Sequence, residues 1–441
     1  MNNLSPLDSR YTDEVSCITE IFSEYGLIRS RLLVEIKWFI FLVKPGREAE
    51  KFLINLWKNF SEKDALEIKQ IERKTNHDVK ALEYFLREKF SKNKTLAKLR
   101  EFIHFAATSE DINNIAYAFM LKTCRDECLL PMMSKIIEKM RDFAHKYSSQ
   151  PMLSHTHGQP ASPTTVGKEF ANFVARLTII YNKLSLEKIF GKFNGTVGNF
   201  NAHTVAYPDK NWPKLVEKFV KELGLEYNAY TTQIEPHDYI AEFCNVLSSF
   251  NMVLIGFTRD IWGYISLNYF KQSNLKNEVG SSVMPHKINP INFENAEGNL
   301  GIANALLHHF SEKLPISRWQ RDLSDSTVLR NLGVAIGHSF LAYKMLCTGL
   351  NRISVDENYL NTELNEHWEV LAEAIQTVMR RHLIPDSYEK LKELTRGKKI
   401  DKEILHKFIN QSQLPKDAKK QLLALTPLTY LGSAVILAKK I

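Results

Sequence analysis

The chain has 441 residues and a formal net charge of +8, with 44% hydrophobic and 24% charged residues. That balance excludes wholesale disorder, and 18 glycines with 15 prolines exclude a collagen-like or linker-dominated chain. Basic residues are interleaved with acidic ones, as in Glu389-Lys390-Leu391-Lys392-Glu393, so the surplus reads as solvated helix faces or as the field of a site for an anionic small molecule, and no nucleic-acid partner is expected.

The first residues, Met1-Asn2-Asn3-Leu4-Ser5-Pro6, have neither the basic start nor the apolar core of a signal peptide. The apolar run Trp38-Phe39-Ile40-Phe41-Leu42-Val43 lies between Lys37 and Lys44, and it and the other apolar runs read as too short for a membrane span. The five cysteines, Cys17, Cys124, Cys128, Cys244 and Cys347, form no C-x-x-C pair and fit free thiols in a reducing compartment. A soluble cytoplasmic protein with no membrane partner is expected.

Helical periodicity dominates the rest of the chain. Thr108-Ser109-Glu110-Asp111 reads as a capping box, and Ile112, Ile115, Ala116 and Phe119 continue it at helical spacing. Further runs are Phe170 to Leu184, Ile240 to Ile261 and Leu329 to Phe340, and few segments alternate with a period of two. The expected fold class is all-α, with helical domains over 1–97, 98–350 and 351–441, the central one a bundle of long helices. Loops rich in glycine, proline and small polar residues are expected at 154–165, 191–203, 271–290 and 314–326, where functional groups concentrate on such folds.

The loop Gly280-Ser281-Ser282-Val283-Met284-Pro285-His286-Lys287-Ile288-Asn289-Pro290 carries the order G-S-x-x-M-x-x-K-x-N. This is the signature of the fumarase/aspartase superfamily. Thr108-Ser109-Glu110-Asp111 resembles its T-S-x-D block, and Ser154 to Thr165, with His157, resembles its second block. Alone, Thr108 and Ser109 read as a helix cap and His157 as an ordinary loop histidine; three blocks in one order tie them together. Within the superfamily the chain resembles the adenylosuccinate lyase family in its longer bacterial form, through Asn76-His77-Asp78-Val79-Lys80, Thr231 to Asp238 and Arg318 to Arg330. His155 departs from the family, which usually has arginine there.

The resemblance implies a β-elimination that releases fumarate from a succinylated purine nucleotide. The chemistry needs a base at the succinyl β-carbon, an acid at the departing nitrogen, and cations or dipoles for the developing carboxylate dianion. By resemblance Ser281 is the base, His157 the acid and Glu294 the carboxylate that orients it, with His77 and Lys287 assisting. The resemblance places Thr108, Ser109, Gln233, Lys287 and Asn289 at the succinyl carboxylates. It places Arg10, Tyr11, Arg321, Ser326 and Arg330 at the phosphate, with Thr327, Val328 and Leu329 beside them; Asn76, Asp78 and Asn295 complete the binding set. It implies no metal, no organic cofactor, and a homotetramer with active sites shared between subunits. The alternatives are a sister lyase for argininosuccinate, aspartate or fumarate-like acids, a non-enzymatic structural protein, and a basic nucleic-acid binder.

Geometry sharpens one expectation. Ser326 and Arg330 are four apart and would share a helix face, whereas Arg321 is nine before Arg330, about 900° at 100° per residue, on the opposite face. All three can reach one phosphate only if 314–322 is loop and a helix begins near Ser324 or Asp325, one of which would cap it.

Overall fold

The helical runs of the sequence become helices in the computed structural model, which describes residues 4–273, 283–284, 286–397 and 399–441. The capping-box run forms Ser109–Thr123, and the next two form Val166–Leu186 and Asp238–Ser266. The last run is split: Leu329 ends the short helix Ser324–Leu329, and the rest lies in Leu332–Leu350. The all-α reading holds, because the strands among the described residues make only two-stranded ribbons.

One ribbon corrects the sequence reading. Residues 154–165 do not form a plain loop: Pro151–Thr156 and Gln159–Thr165 pair as an antiparallel hairpin, with Thr156 opposite Gln159. Pro160 and Pro163 obscured it, yet each strand of a two-stranded ribbon has an unpaired outer edge where a missing N–H costs nothing. A second correction concerns apolar length. Asp238–Ser266 is long and apolar enough to cross a membrane by length and composition, with a mean hydropathy of 1.5 over its best window, but 61% of that window is buried within the chain. Its apolarity is that of a core helix.

Packing divides the chain into two compact units. The first comprises residues 1–133, 180–252 and 298–344. Ile28, Leu32, Ile36 and Phe39 of the Glu24–Val43 helix pack there in one core cluster with Leu82, Phe85 and Phe90 of Asp78–Ser91. Buried Asn251 cross-links three of its helices: its amide donates to Asn304 (3.0 Å) and Ser339 (2.9 Å), and Tyr343 donates to its carbonyl (2.6 Å). The second unit comprises residues 134–179, 253–297 and 345–441. Phe170 is central to an aromatic group with Phe143, Phe257 and Phe270, at centroid separations of 4.9, 5.5 and 6.2 Å. A separate apolar cluster there joins Leu153 of the hairpin to Leu371, Ile375, Leu405 and Ile409.

Candidate active site

In the first unit, local backbone chemistry places the candidate histidine of the Asn76-His77-Asp78 block. Asn76 ends the Glu62–Thr75 helix in the left-handed conformation, at φ 51°. His77 then caps Asp78–Ser91: the Lys80 N–H donates to His77 Nδ1 at 3.2 Å. An accepting Nδ1 puts the proton of the neutral ring on Nε2, and the ring is half exposed.

Thr108 and Ser109 begin the Ser109–Thr123 helix as the capping box requires, with Thr108 N–H donating to Asp111 Oδ2 at 2.8 Å. Asp111 also accepts from the N–H groups of Asn194 (2.9 Å) and Gly195 (3.1 Å), so one carboxylate pins irregular chain over 192–200 to the helix start. The loop expected at 191–203 is shorter, because Gly191 pairs in a ribbon and the helix Asn201–Ala206 takes its last residues. Lys192 completes this centre, 2.8 Å from Asp111 with both side chains fully buried. Gly198 closes against the other side: at φ +80° a Cβ there would stand 2.3 Å from the Thr231 carbonyl oxygen. That close approach seats the block from Thr231 to Asp238 beside the loop.

The geometric expectation for the arginines holds in outline. Residues 314–322 are turn and irregular chain, and the helix is Ser324–Leu329. Its cap differs: Leu323 occupies the cap position, and Asp322 accepts the Ser324 N–H at 2.7 Å together with the Ser324 hydroxyl. These bonds, the Ser324 hydroxyl first, hold the Asp322 carboxyl well below the usual range. Arg330 lies just past the helix end rather than on its last turn.

Arg321, Ser326 and Gln233 are brought together. Arg321 donates to Gln233 Oε1 (3.1 Å) and Ser326 Oγ (3.4 Å) and pairs with buried Glu110 (3.0 Å). Behind Ser326, buried His237 donates to Asp325 at 3.2 Å. Burial would raise the Asp325 carboxyl, but His237 and Arg321 outweigh it and hold it low. Leu329 is 3% exposed, so only its backbone can face a ligand. Arg330 pairs with Glu24 (2.7 Å) and Asp78 (3.0 Å), and Arg10 is exposed, its guanidinium 5.5 Å from the Tyr11 ring centre.

The second unit carries the other half of the set. His157 and Gly158 form the two-residue turn of the hairpin, at φ 54° and 72°. Two left-handed residues make the turn whose twist matches a right-handed ribbon, and they present an exposed His157 at its tip. The hairpin is braced from below: Ser162 donates to Glu373, and Gln150 beside it donates to Asn361 at 3.1 Å. Lys287 is exposed on the signature loop, and the Ile288 carbonyl is held by Gln272 Nε2 at 3.0 Å. Asn289 lies two residues beyond Lys287, and Glu294 and Asn295 sit in the first turn of Ile291–Lys313. Glu294 accepts a hydrogen bond from Trp262 Nε1 at 3.1 Å and none from His157 of the same chain. Ser281, with Gly280 and Ser282, lies outside the described residues. Among the described residues, no group of three His, Cys, Asp or Glu side chains converges as metal ligands would.

Sequence reasoning missed Lys192, Glu110, Asn113 and Arg31, whose partners stand far off in the chain. It also missed Asp322, whose carboxylate takes the Ser324 N–H from one residue before the cap position.

Comparison with known proteins supplies what geometry alone does not. Residues 9–304 match the Lyase family model, and residues 317–431 match the Adenylosuccinate lyase C-terminal model. The adenylosuccinate lyase of Haemophilus influenzae is 54% identical over 447 residues, covering 99% of this chain and 98% of that one. That of Escherichia coli (strain K12) is 52% identical with the same coverage. Among solved structures, a fumarate lyase from Mesorhizobium sp. BNC1 superposes with a TM-score of 0.77 at 16% identity, covering 96% of this chain and 97% of that chain. The 3-carboxy-cis,cis-muconate lactonizing enzyme of Pseudomonas putida gives 0.75 at 18%, covering 96% of each; both likenesses speak to the fold.

Proposed function

The chain belongs to the adenylosuccinate lyase family, and on that premise we propose how its residues divide the elimination of fumarate. The enzyme is a carbon–nitrogen lyase. It cleaves adenylosuccinate to AMP and fumarate, and by the same step cleaves succinylaminoimidazolecarboxamide ribotide (SAICAR) to the aminoimidazolecarboxamide ribotide (AICAR) in purine biosynthesis.

Ser281 removes a proton from the succinyl β-carbon, and the C–N electron pair leaves with the purine nitrogen. His157 gives that nitrogen its proton from the opposite face. A serine hydroxyl is a poor base in water, so its loop must stabilise the alkoxide, and Lys287, six residues on in the signature block, is the cation assigned to it. The charge that builds on the succinyl carboxylate falls to Lys287 and Asn289, with Thr108, Ser109 and Gln233 holding the other carboxylate. His77, with its proton on Nε2, can donate to a substrate anion and assist proton transfer. Arg321, Ser326 and Arg330 hold the phosphate with Arg10 and Tyr11, and Thr327, Val328 and the Leu329 backbone line that end. Asn76 and Asn295 add amide contacts, and Asp78 acts through Arg330.

The observation that carries the substrate assignment is the contact of Arg321 with both Ser326 and Gln233. It puts Ser326, assigned here to the phosphate, and Gln233, assigned here to the succinyl carboxylates, on one guanidinium. We propose further that the enzyme is a homotetramer in the cytoplasm whose sites draw on several subunits. Two observations support the shared site: among the described residues Glu294 accepts from Trp262 and not from His157, and Trp319 and Leu323, flanking Arg321, are 93% and 71% exposed in the single chain. Along the chain, the apolar cluster of residues 28–103, and the one that gathers residues 364–422 with Leu153, support N-terminal and C-terminal helical domains at about 1–97 and 351–441, with the long helices at 98–350.

Absorbance tests the substrate. Purified protein with adenylosuccinate should give the spectral change to AMP, and with argininosuccinate nothing; the reverse result would assign a sister lyase.

A further inference from the structure

Arg31 is absent from the substrate-binding set, yet it joins the two arginines assigned to the phosphate. It stands on the Glu24–Val43 helix with its side chain 4% exposed. Its Nη2 meets Asp78 Oδ2 at 2.8 Å, and the same oxygen receives Arg330 Nη2 at 3.0 Å. Its Nε donates to Asn113 Oδ1 at 2.8 Å, the Asn113 amide donates to Glu110 Oε1 at 2.7 Å, and that oxygen receives Arg321 Nη2 at 3.0 Å. The path from Arg330 to Arg321 is therefore continuous through one buried guanidinium.

We propose that Arg31 is a positioning residue for the phosphate end of the site, holding Arg330 through Asp78 and Arg321 through Asn113 and Glu110. This rests on the reading that Arg321 and Arg330 bind the phosphate.

The physical reason lies in how charge is divided. A guanidinium whose charge is spent on a carboxylate attracts an incoming anion weakly. Arg330 touches two carboxylates, but each has a second cation: Asp78 has Arg31, and Glu24 has Lys69 at 3.1 Å. Burial would raise the Asp78 carboxyl, but Arg31, the Val79 N–H and Arg330 outweigh it and hold it below the usual range. Arg31 thus takes up part of the Asp78 charge and leaves Arg330 with positive charge to offer. Its planar fork also fixes two directions at once, which a lysine cannot do. Glutamine at position 31 would leave the Asp78 charge on Arg330 alone and cut the tie to Asn113.

The test uses the full-length enzyme, with AMP and fumarate as separate probes. Arg31→Gln should raise the Kd for AMP about tenfold, the scale of one charge-assisted hydrogen bond, and leave the Kd for fumarate unchanged. The KM for adenylosuccinate should rise while kcat at saturation stays within about twofold. Adding Asp78→Asn should recover much of the AMP affinity, because the charge that Arg31 shared is then gone. Unchanged AMP affinity, equal loss for AMP and fumarate, or no recovery in the double variant would overturn the proposal. Arg330→Ala separates the premise from the proposal: if it leaves AMP binding intact, the phosphate reading falls and the proposal with it. If it weakens AMP and Arg31→Gln does not, only the proposal falls. Should Arg31→Gln fail to fold, Arg31→Lys decides, since it keeps a charge beside Asp78 but cannot also span to Asn113. Wild-type AMP affinity in Arg31→Lys would overturn the proposal, and a loss of about threefold with fumarate unaffected would support it.

Discussion

Asp111 and Lys192 form an ion pair at 2.8 Å with neither side chain exposed to solvent. The pair is also a structural hub, because the Asp111 carboxylate accepts from Thr108, Asn194 and Gly195 N–H groups at the same time. Breaking such a pair from one side leaves a buried charge without its partner. Lys192→Met should therefore lower unfolding stability by about 3–5 kcal/mol, with the double variant Asp111→Asn, Lys192→Met losing less than the sum of the two singles. Urea unfolding of the three proteins would measure this. Additive losses would mean that the pair does not act as a unit.

Ser281→Ala should remove the proposed base. Turnover should fall by roughly 10²–10⁴, the usual worth of a positioned base, while adenylosuccinate still binds. Stopped-flow rates beside equilibrium binding would separate the two effects. Near-normal turnover would move the role to Ser282.

The shared-site proposal makes a different prediction. His157→Gln and Ser281→Ala enzymes, each inactive alone, should regain activity after mixing and subunit exchange, because some mixed tetramers would hold sites built only from intact groups. Exchange would be verified with differently tagged subunits. Verified exchange with no recovery would place both groups in one chain.

His104 offers a pH test within the first unit. Its Nδ1 lies 2.6 Å from Glu35 Oε1, and its Nε2 lies 4.0 Å from Glu83. Burial alone would lower the imidazole pKa, but the Glu35 carboxylate, with Glu83 and Asp111, outweighs it and raises the value above 6.5. A raised folded-state pKa contributes stability that is fully present below about 6.5 and is lost as pH rises through the folded value. His104→Gln should thus cost more stability at pH 6 than at pH 9, read from denaturant midpoints. An equal cost at both pH values would show that the charge of His104 contributes nothing.

Much of the architecture was decided locally, and local features can be read from sequence. The capping box at Thr108 to Asp111 needs only neighbouring residues, and so does the helix start at Ser324, which follows from the spacing of Arg321, Ser326 and Arg330. The long helices follow from apolar residues recurring every three or four positions, which makes one face unstable in water wherever the chain goes. The order of the blocks around His157, Ser281 and Lys287 carried the family resemblance without any coordinate. Tertiary structure decided the rest, for reasons of distance. The partners of Arg31, at Asp78 and Asn113, and the partner of Lys192, at Asp111, lie tens of residues away, and nothing in a buried charge's immediate sequence says which opposite charge will meet it. The hairpin that lifts His157 was hidden for a related reason. Its strands are held by cross-strand pairing, as Thr156 is by Gln159, and its prolines are tolerated only because the outer edges stay unpaired.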